Sequence, residues 1–197
     1  MKKEKTKLLK LLKKHSFKKG RVRLSSGKTS NYYIDGKLTT LTAEGAYLTA
    51  KIILRMIKRD RIKAIGGLTL GADPIVSATA ALSFSTPNPL NAFIVRKEPK
   101  KHGLQKFIEG PPFRKNARIV VVDDVVTSGG STIKAINAIR TAKGKVVKAL
   151  AIVDRLEGAE ENLAKVGVEL VSIYTSKDLL KNDKCPAYQT GGQAKSK

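Results

Sequence analysis

From Thr42 to Tyr174 the chain alternates between two kinds of segment. Short runs rich in Val and Ile (62–67, 91–95, 117–122, 145–154 and 168–174) are separated by stretches with helical spacing of apolar residues. A strand covered on both faces reads as a continuous apolar run, whereas a half-solvated strand alternates. Such runs interleaved with helices specify an α/β chain with a mostly parallel central sheet flanked by helices. Sheets of this kind bind ligands in the crevice beyond the carboxyl ends of their strands. That directs attention to the loops 66–73, 96–113 and 123–131, and to Arg155 just past a strand.

The helical segments carry their own punctuation. Thr42 is an N-cap candidate for a helix reaching Lys58, with Leu48, Ile52, Ile53, Met56 and Ile57 on one face. Pro74 suits the first turn of the next helix. Helices are expected over 131–142, with Gly144 as its stop, and over 158–166. Ahead of this core, residues 4–14 place Leu8, Leu11 and Leu12 on one face of an amphipathic helix. Residues 21–35 read as two short strands around a Ser/Gly turn. The expected organisation is one domain over 1–180, residues 1–40 forming a small N-terminal hood, and a mobile tail over 181–197.

Composition removes several classes. The single Cys185 excludes an internal disulfide, and with the two histidines it forms no triad or metal-site spacing. No apolar run is long enough to cross a bilayer. The opening MKKEKTKLLKLLKKHSF lacks the apolar core and cleavage site of a signal peptide, so a cytoplasmic protein without a membrane partner is expected. The net charge of +23 raises nucleic acid as a partner, but aromatics are only 5%, too few for single-strand stacking platforms. Solvated lysine-rich faces are the plainer reading, and nucleic acid is not expected.

The densest chemistry lies in RIVVVDDVVTSGGST, Arg118 to Thr132. The Thr127–Ser131 loop, followed by a helix, presents backbone N–H groups, hydroxyls and a positive dipole end, which together make a phosphate cradle. The spacing fits neither a Walker A loop nor G-x-G-x-x-G. Asp123 and Asp124 then need a partner other than phosphate: the vicinal hydroxyls of a ribose, or Mg²⁺ bridging to phosphates. An N-cap beside a strand-end aspartate would need only one of these acids.

IVVVDDVVTSGGST resembles the 5-phosphoribosyl 1-diphosphate (PRPP) signature of type I phosphoribosyltransferases. The resemblance implies that the acids hold the ribose diol, that Val125, Val126, Thr127, Ser128, Gly129, Gly130 and Ser131 form the 5-phosphate loop, and that Mg²⁺ arrives with PRPP, near Asp123 and Asp124, without direct protein ligands. VRKEPKKHG resembles the flexible catalytic loop R-K-x-x-K-x-H-G of the orotate phosphoribosyltransferases, with Arg96, Lys97, Lys100, His102 and Gly103 on the pattern. Its composition alone fits either a solvated basic loop or a lid bringing cations to a diphosphate leaving group. GGLTLGADP matches that family's pyrophosphate loop, with Thr69-Leu70 where some relatives carry Tyr-Lys.

Tyr32 and Tyr33 match the aromatic pair lining the pyrimidine pocket; near the preceding turn the chain has Ser25, Ser26 and Lys28 where relatives commonly have Lys or Arg. Arg155 and Thr127 match the orotate contacts, and a guanidinium suits a carboxylate because it can donate two parallel hydrogen bonds. The resemblance covers about residues 20–175 and implies PRPP and orotate as substrates, catalytic roles for Lys100, His102 and Asp124, and a homodimer sharing the 96–113 loop between subunits. No fused decarboxylase is expected. The alternatives are another type I phosphoribosyltransferase, or an RNA-binding regulator built on the same fold.

Overall fold

The computed structural model describes residues 1–23, 29–98 and 107–181. Helix α1 (Lys2–Leu11) runs into a π-helical turn, Leu12–Ser16, and then into an antiparallel hairpin, β1 (Phe17–Arg23) and β2 (Thr29–Ile34). A short α2 (Lys37–Thr40) leads to α3 (Ala43–Met56), β3 (Ala64–Leu68), α4 (Asp73–Ser83), β4 (Asn91–Val95) and β5 (Ile108–Glu109). The chain continues through β6 (Arg118–Val126), α5 (Gly130–Thr141), β7 (Lys145–Asp154), α6 (Ala159–Lys165), β8 (Leu170–Thr175) and α7 (Ser176–Leu180).

The large sheet has the order β5-β4-β3-β6-β7-β8, parallel except for β5. After β3 the chain first builds outward to β4 and β5, then returns to lay β6 on the other side of β3. The switch point therefore falls between β3 and β6, where such sheets leave a crevice. Successive side chains of each strand supply opposite faces. Ile65, Val120, Val122, Leu150 and Ile152 pack toward α3 and α4, joined by Leu8 and Leu12 from the N-terminus. Ala64, Ile119, Val121, Ala149 and Ala151 pack toward Ile136 and Ile139 of α5 and Leu163 of α6.

The expected helix start at Thr42 is present: its side chain accepts a hydrogen bond from the Gly45 N–H at 3.1 Å. Three features differ from the sequence reading. β6 does not stop at Val122 but runs through both acids to Val126, because β7 pairs with it as far as Val126↔Asp154. The left-handed residue closing α5 is Lys143 (φ 65°), not Gly144. Gly144 is small for another reason, since a Cβ there would lie 2.7 Å from Ile119 and Ile139 side-chain atoms. Finally, β5 is a two-residue strand too short to show any periodicity; it pins the returning end of the 96–113 loop, where Arg96 N–H donates to the Phe107 carbonyl at 2.8 Å.

Leu12 is fully buried at the joint between the N-terminal helix and the sheet. Leu12→Ala is expected to lower unfolding free energy by about 2–5 kcal/mol in urea titration; a loss well below that range would show that the N-terminal segment is not docked in the core.

Candidate active site

The site begins where β6 loses a neighbour. β3 pairs with β6 as far as Gly66↔Val121, and beyond that β6 is held only by β7. Asp123 and Asp124 follow at once, both 8% exposed. The Asp124 N–H donates to Asp123 Oδ1 at 3.0 Å, and Thr132 Oγ1 donates to Asp123 Oδ2 at 3.4 Å. Burial, and then the charge of Asp124, push the Asp123 carboxyl well above the usual carboxylate range. Burial raises Asp124 as well, opposed by the nearby Lys37 ammonium.

Two glycines from distant segments close on this pair. A Cβ at Gly71 would lie 2.3 Å from Asp124 Oδ1 and 3.0 Å from Asp123 Oδ1, and one at Gly36 would lie 2.7 Å from Asp124 Oδ2. Only bare backbone reaches the carboxylates so closely. Gly71 belongs to the loop between β3 and α4, in which Thr69 Oγ1 donates to Asp73 Oδ2 at 2.7 Å. Gly36 precedes Lys37, whose ammonium lies 2.7 Å from Asp35 Oδ1. Burial would lower the Lys37 pKa, but the hydrogen bond to Asp35 and the charges of Asp124 and Asp35 hold it above its ordinary value.

Downstream of the acids, Val126 is buried in the core and Val125 is half-buried, so any ligand contact there falls to their backbone. Thr127, Ser128, Gly130 and Ser131 are exposed. Gly129 takes the left-handed conformation (φ 80°) that turns the strand into α5, and no side chain caps that helix. Its first N–H groups thus face the crevice free of side-chain acceptors, in contrast to α3, where Thr42 fills that role. An anion at this terminus would gain those donors together with the helix dipole.

Arg155 lies immediately beyond β7 and is 5% exposed. Its Nε donates to Glu157 Oε1 at 2.8 Å, its Nη2 donates to Ser30 Oγ at 3.1 Å, and its guanidinium lies 4.6 Å from the Tyr32 ring centroid. Tyr32 in turn packs on Phe17, with ring centroids 5.8 Å apart. The hairpin therefore roofs the strand ends through this stack. Tyr33 follows Tyr32 on an extended strand and points the other way, so the two tyrosines do not line one surface. Arg96 lies 3.3 Å from Glu109 Oε1 and, with Lys97, lines a cavity of about 700 Å³ against Lys134 and Asn137 of α5. Lys100, His102 and Gly103, like Ser25, Ser26 and Lys28, lie outside the described residues.

Sequence reading missed Gly36, Lys37, Ser30 and Glu157. The first two follow the tyrosine pair in YYIDGK and the last sits two residues after Arg155 in DRLEG, but nothing in those strings shows which strand end they face.

This sheet order, with an acid pair and an uncapped helix start at its switch point, is the architecture of the type I phosphoribosyltransferases. Residues 64–178 match the family described as phosphoribosyl transferase domain. The orotate phosphoribosyltransferase of Aquifex aeolicus is 44% identical over 180 residues, spanning 90% of this chain and 98% of that protein. A Mycobacterium tuberculosis orotate phosphoribosyltransferase structure, in complex with PRPP, superposes with a TM-score of 0.74 at 32% identity, covering 89% of this chain and 98% of that one. The Aeropyrum pernix enzyme superposes equally well, with a TM-score of 0.74 at 37% identity over 88% of this chain and 96% of the other. The chain belongs to the orotate phosphoribosyltransferase family.

The buried acids make a linkage prediction. Because folding raises their pKa, the native state holds protons that the unfolded state has released above the ordinary carboxylate range. Stability of the ligand-free protein should therefore fall as pH rises through that window toward neutrality, and Asp123→Asn should raise its Tm at neutral pH. Thermal melts across pH check both; an Asn variant that melts lower at neutral pH would contradict them.

Proposed function

We propose that this chain transfers ribose 5-phosphate from PRPP to N1 of orotate, forming orotidine 5′-phosphate and diphosphate, a step in pyrimidine nucleotide synthesis. The observation that carries the choice of base is the buried Arg155 guanidinium stacked on Tyr32, one loop away from the acid pair and the cradle. Nε and one Nη2 hydrogen are committed to Glu157 and Ser30, which leaves the outer edge of the guanidinium for a carboxylate. Stacked on Tyr32, that edge suits a flat anionic pyrimidine.

Asp123 and Asp124 accept hydrogen bonds from the ribose diol, and Thr127 to Ser131 receive the 5-phosphate on N–H groups and hydroxyls. Thr127 also contacts orotate. Glycine at 71 lets its loop pack backbone-first against Asp124, so that this loop meets the diphosphate through backbone groups. The transition state resembles a ribosyl oxocarbenium ion; the carboxylates face that growing positive charge while cations gather on the departing diphosphate. No covalent nucleophile is required, because positioning and charge stabilisation suffice.

Among the described residues no group of three or more His, Cys, Asp or Glu is placed to hold a metal ion. The donor set is two adjacent carboxylates, which fits Mg²⁺ brought in largely by the substrate's own oxygens, near Asp123 and Asp124. When bound, Mg²⁺ neutralises charge on the diphosphate.

The 96–113 loop is read as a lid shared across a homodimer, with Lys100 and His102 closing over the diphosphate and excluding water. The reading is supported by the R-K-x-x-K-x-H-G pattern carried by Arg96, Lys97, Lys100, His102 and Gly103. Among the described residues, no helix is long and apolar enough to cross a membrane, and a cytoplasmic enzyme is proposed.

Loss of orotate absorbance with PRPP and Mg²⁺, with uracil and purine bases as controls, tests the reaction. Arg155→Ala should raise KM for orotate at least about tenfold, the scale of a lost charged hydrogen-bond pair, with KM for PRPP little changed. Equal effects on both substrates would sink the assignment. Lys100→Ala should lower kcat with PRPP binding intact, and mixing it with Arg155→Ala subunits should restore part of the activity. Verified mixed dimers without any recovery would rule out a shared lid.

A further inference from the structure

Two turns close on the acid pair from one face of the sheet. The loop between β3 and α4 brings Gly71 against Asp124 Oδ1, and the turn between β2 and α2 brings Gly36 against Asp124 Oδ2. Both turns lie over the face covered by α3 and α4, whose Leu48, Ile52, Ile75 and Val76 belong to one core. The Thr127–Ser131 cradle belongs to the other face. A Cβ at its Gly129 would lie 2.7 Å from a Leu163 methyl of α6, and α5, which it enters, packs its Ile136 and Ile139 there.

That placement orients a ribose held on the acids. In PRPP the diol carbons lie between C1 and the C4–C5 arm, so the diphosphate and the 5-phosphate leave the ring at opposite ends. With the 5-phosphate on the cradle, the C1 end is directed to the Gly36 and Gly71 turns. The diphosphate is the most highly charged part of the substrate, and its charge grows as it departs. Some group on that side has to meet it.

The Gly71 loop brings no cation. Thr69 Oγ1 is engaged with Asp73, Leu70 is 64% exposed and apolar, and Asp73 is itself an acid. Over the two turns, residues 35–42 and 69–73, Lys37 is the only cation. Its backbone is fixed. The Asp35 N–H donates to the Ser16 carbonyl at 2.9 Å, the Lys37 N–H donates to Asp35 Oδ1 at 3.1 Å, Gly36 is buried, and α2 packs against α3 and α4. Its side chain is not fixed in the same way. The ammonium rests on Asp35 Oδ1 at 2.7 Å, with the side chain 38% exposed, and the flexible four-carbon stem lets it turn from that carboxylate to a neighbouring anion. An ion pair confined to Asp35 would not reach the acid pair. Burial raises Asp124, however, and Lys37 is the first charge that opposes it.

We infer that the Lys37 ammonium is a diphosphate contact, exchanging Asp35 for an oxygen of the diphosphate when PRPP binds and holding it as it leaves. The inference rests on PRPP being the substrate. Asp35 then acts as a resting partner that keeps the cation at the mouth of the crevice before the anion arrives. Lys37 approaches the diphosphate from the fixed α2 turn, so its contribution is available whatever the position of the 96–113 loop. A contact that strengthens as charge builds on the leaving group raises kcat as well as affinity.

The test is calorimetric titration of the full chain with two separate probes, diphosphate with Mg²⁺ and ribose 5-phosphate, beside steady-state kinetics. Lys37→Met should weaken diphosphate binding at least about tenfold, the scale of one charged hydrogen bond, and leave ribose 5-phosphate binding little changed. It should lower kcat/KM for PRPP by a similar factor, with KM for orotate and Tm close to the parent. Lys37→Gln, which is uncharged but polar, should behave like Lys37→Met, and Lys37→Arg should recover most of the lost affinity. Lys3→Met, removing the same charge from an exposed position of α1, should change neither binding nor turnover. Unchanged diphosphate affinity in Lys37→Met would overturn the inference. So would equal losses for the two probes, which would show that Lys37 acts only through the acid pair, and so would a loss in Lys37→Arg as large as that in Lys37→Met. A parent protein that binds neither probe and does not turn over PRPP would overturn the substrate assignment as well.

Discussion

Beyond Val121, β6 keeps a partner on one side only. That single mismatch in strand length organises the rest of the molecule. β3 turns away through the Gly71 loop, β7 continues to Asp154, and the gap between them is the crevice into which the two carboxylates reach. Had β3 kept pace, Asp123 and Asp124 would be interior to a closed sheet with no route to a ligand. Had β7 stopped early as well, the acids would sit in solvent at their ordinary pKa. Because they are instead inside the fold, burial raises both carboxyls, and ionising them carries an electrostatic cost that a hydrogen-bonding diol and an accompanying cation relieve.

The hairpin supplies the other half of the site. Its Phe17 and Ile34 join the core on one face of the large sheet, and its Ser30 and Tyr32 meet Arg155 across the strand ends. A buried guanidinium is tolerable only if it is paired, and Glu157, Ser30 and the Tyr32 face together do this while leaving one edge open. The cradle follows the same economy, since α5 has no side-chain cap and its donors stay available to a phosphate.

Much of this was legible from residue patterns. Apolar runs gave each main strand of the large sheet, because strands buried on both faces have no polar alternation to confuse them. Thr42 and Pro74 marked helix starts through local chemistry that needs no tertiary context. Two aspartates look like a strand terminus in sequence, and only pairing with β7 carries β6 past them. Gly144 fits a helix stop in sequence because glycine favours that role, but a crowded contact with Ile119 and Ile139 is what requires it. Ser30, Gly36, Lys37 and Glu157 were invisible because their importance lies in which segment they face. In sequence Tyr32 and Tyr33 match a pocket-lining aromatic pair, whereas on β2 adjacent side chains point apart.

Burial raises both carboxyls, and a bound diol with its accompanying cation should draw them back toward the ordinary carboxylate range. Calorimetric titration of PRPP with Mg²⁺ in buffers of different ionisation enthalpy counts the protons exchanged on binding near neutral pH. A net proton release is expected for the parent protein, and a smaller one for Asp123→Asn. Identical proton counts for the two proteins would contradict it.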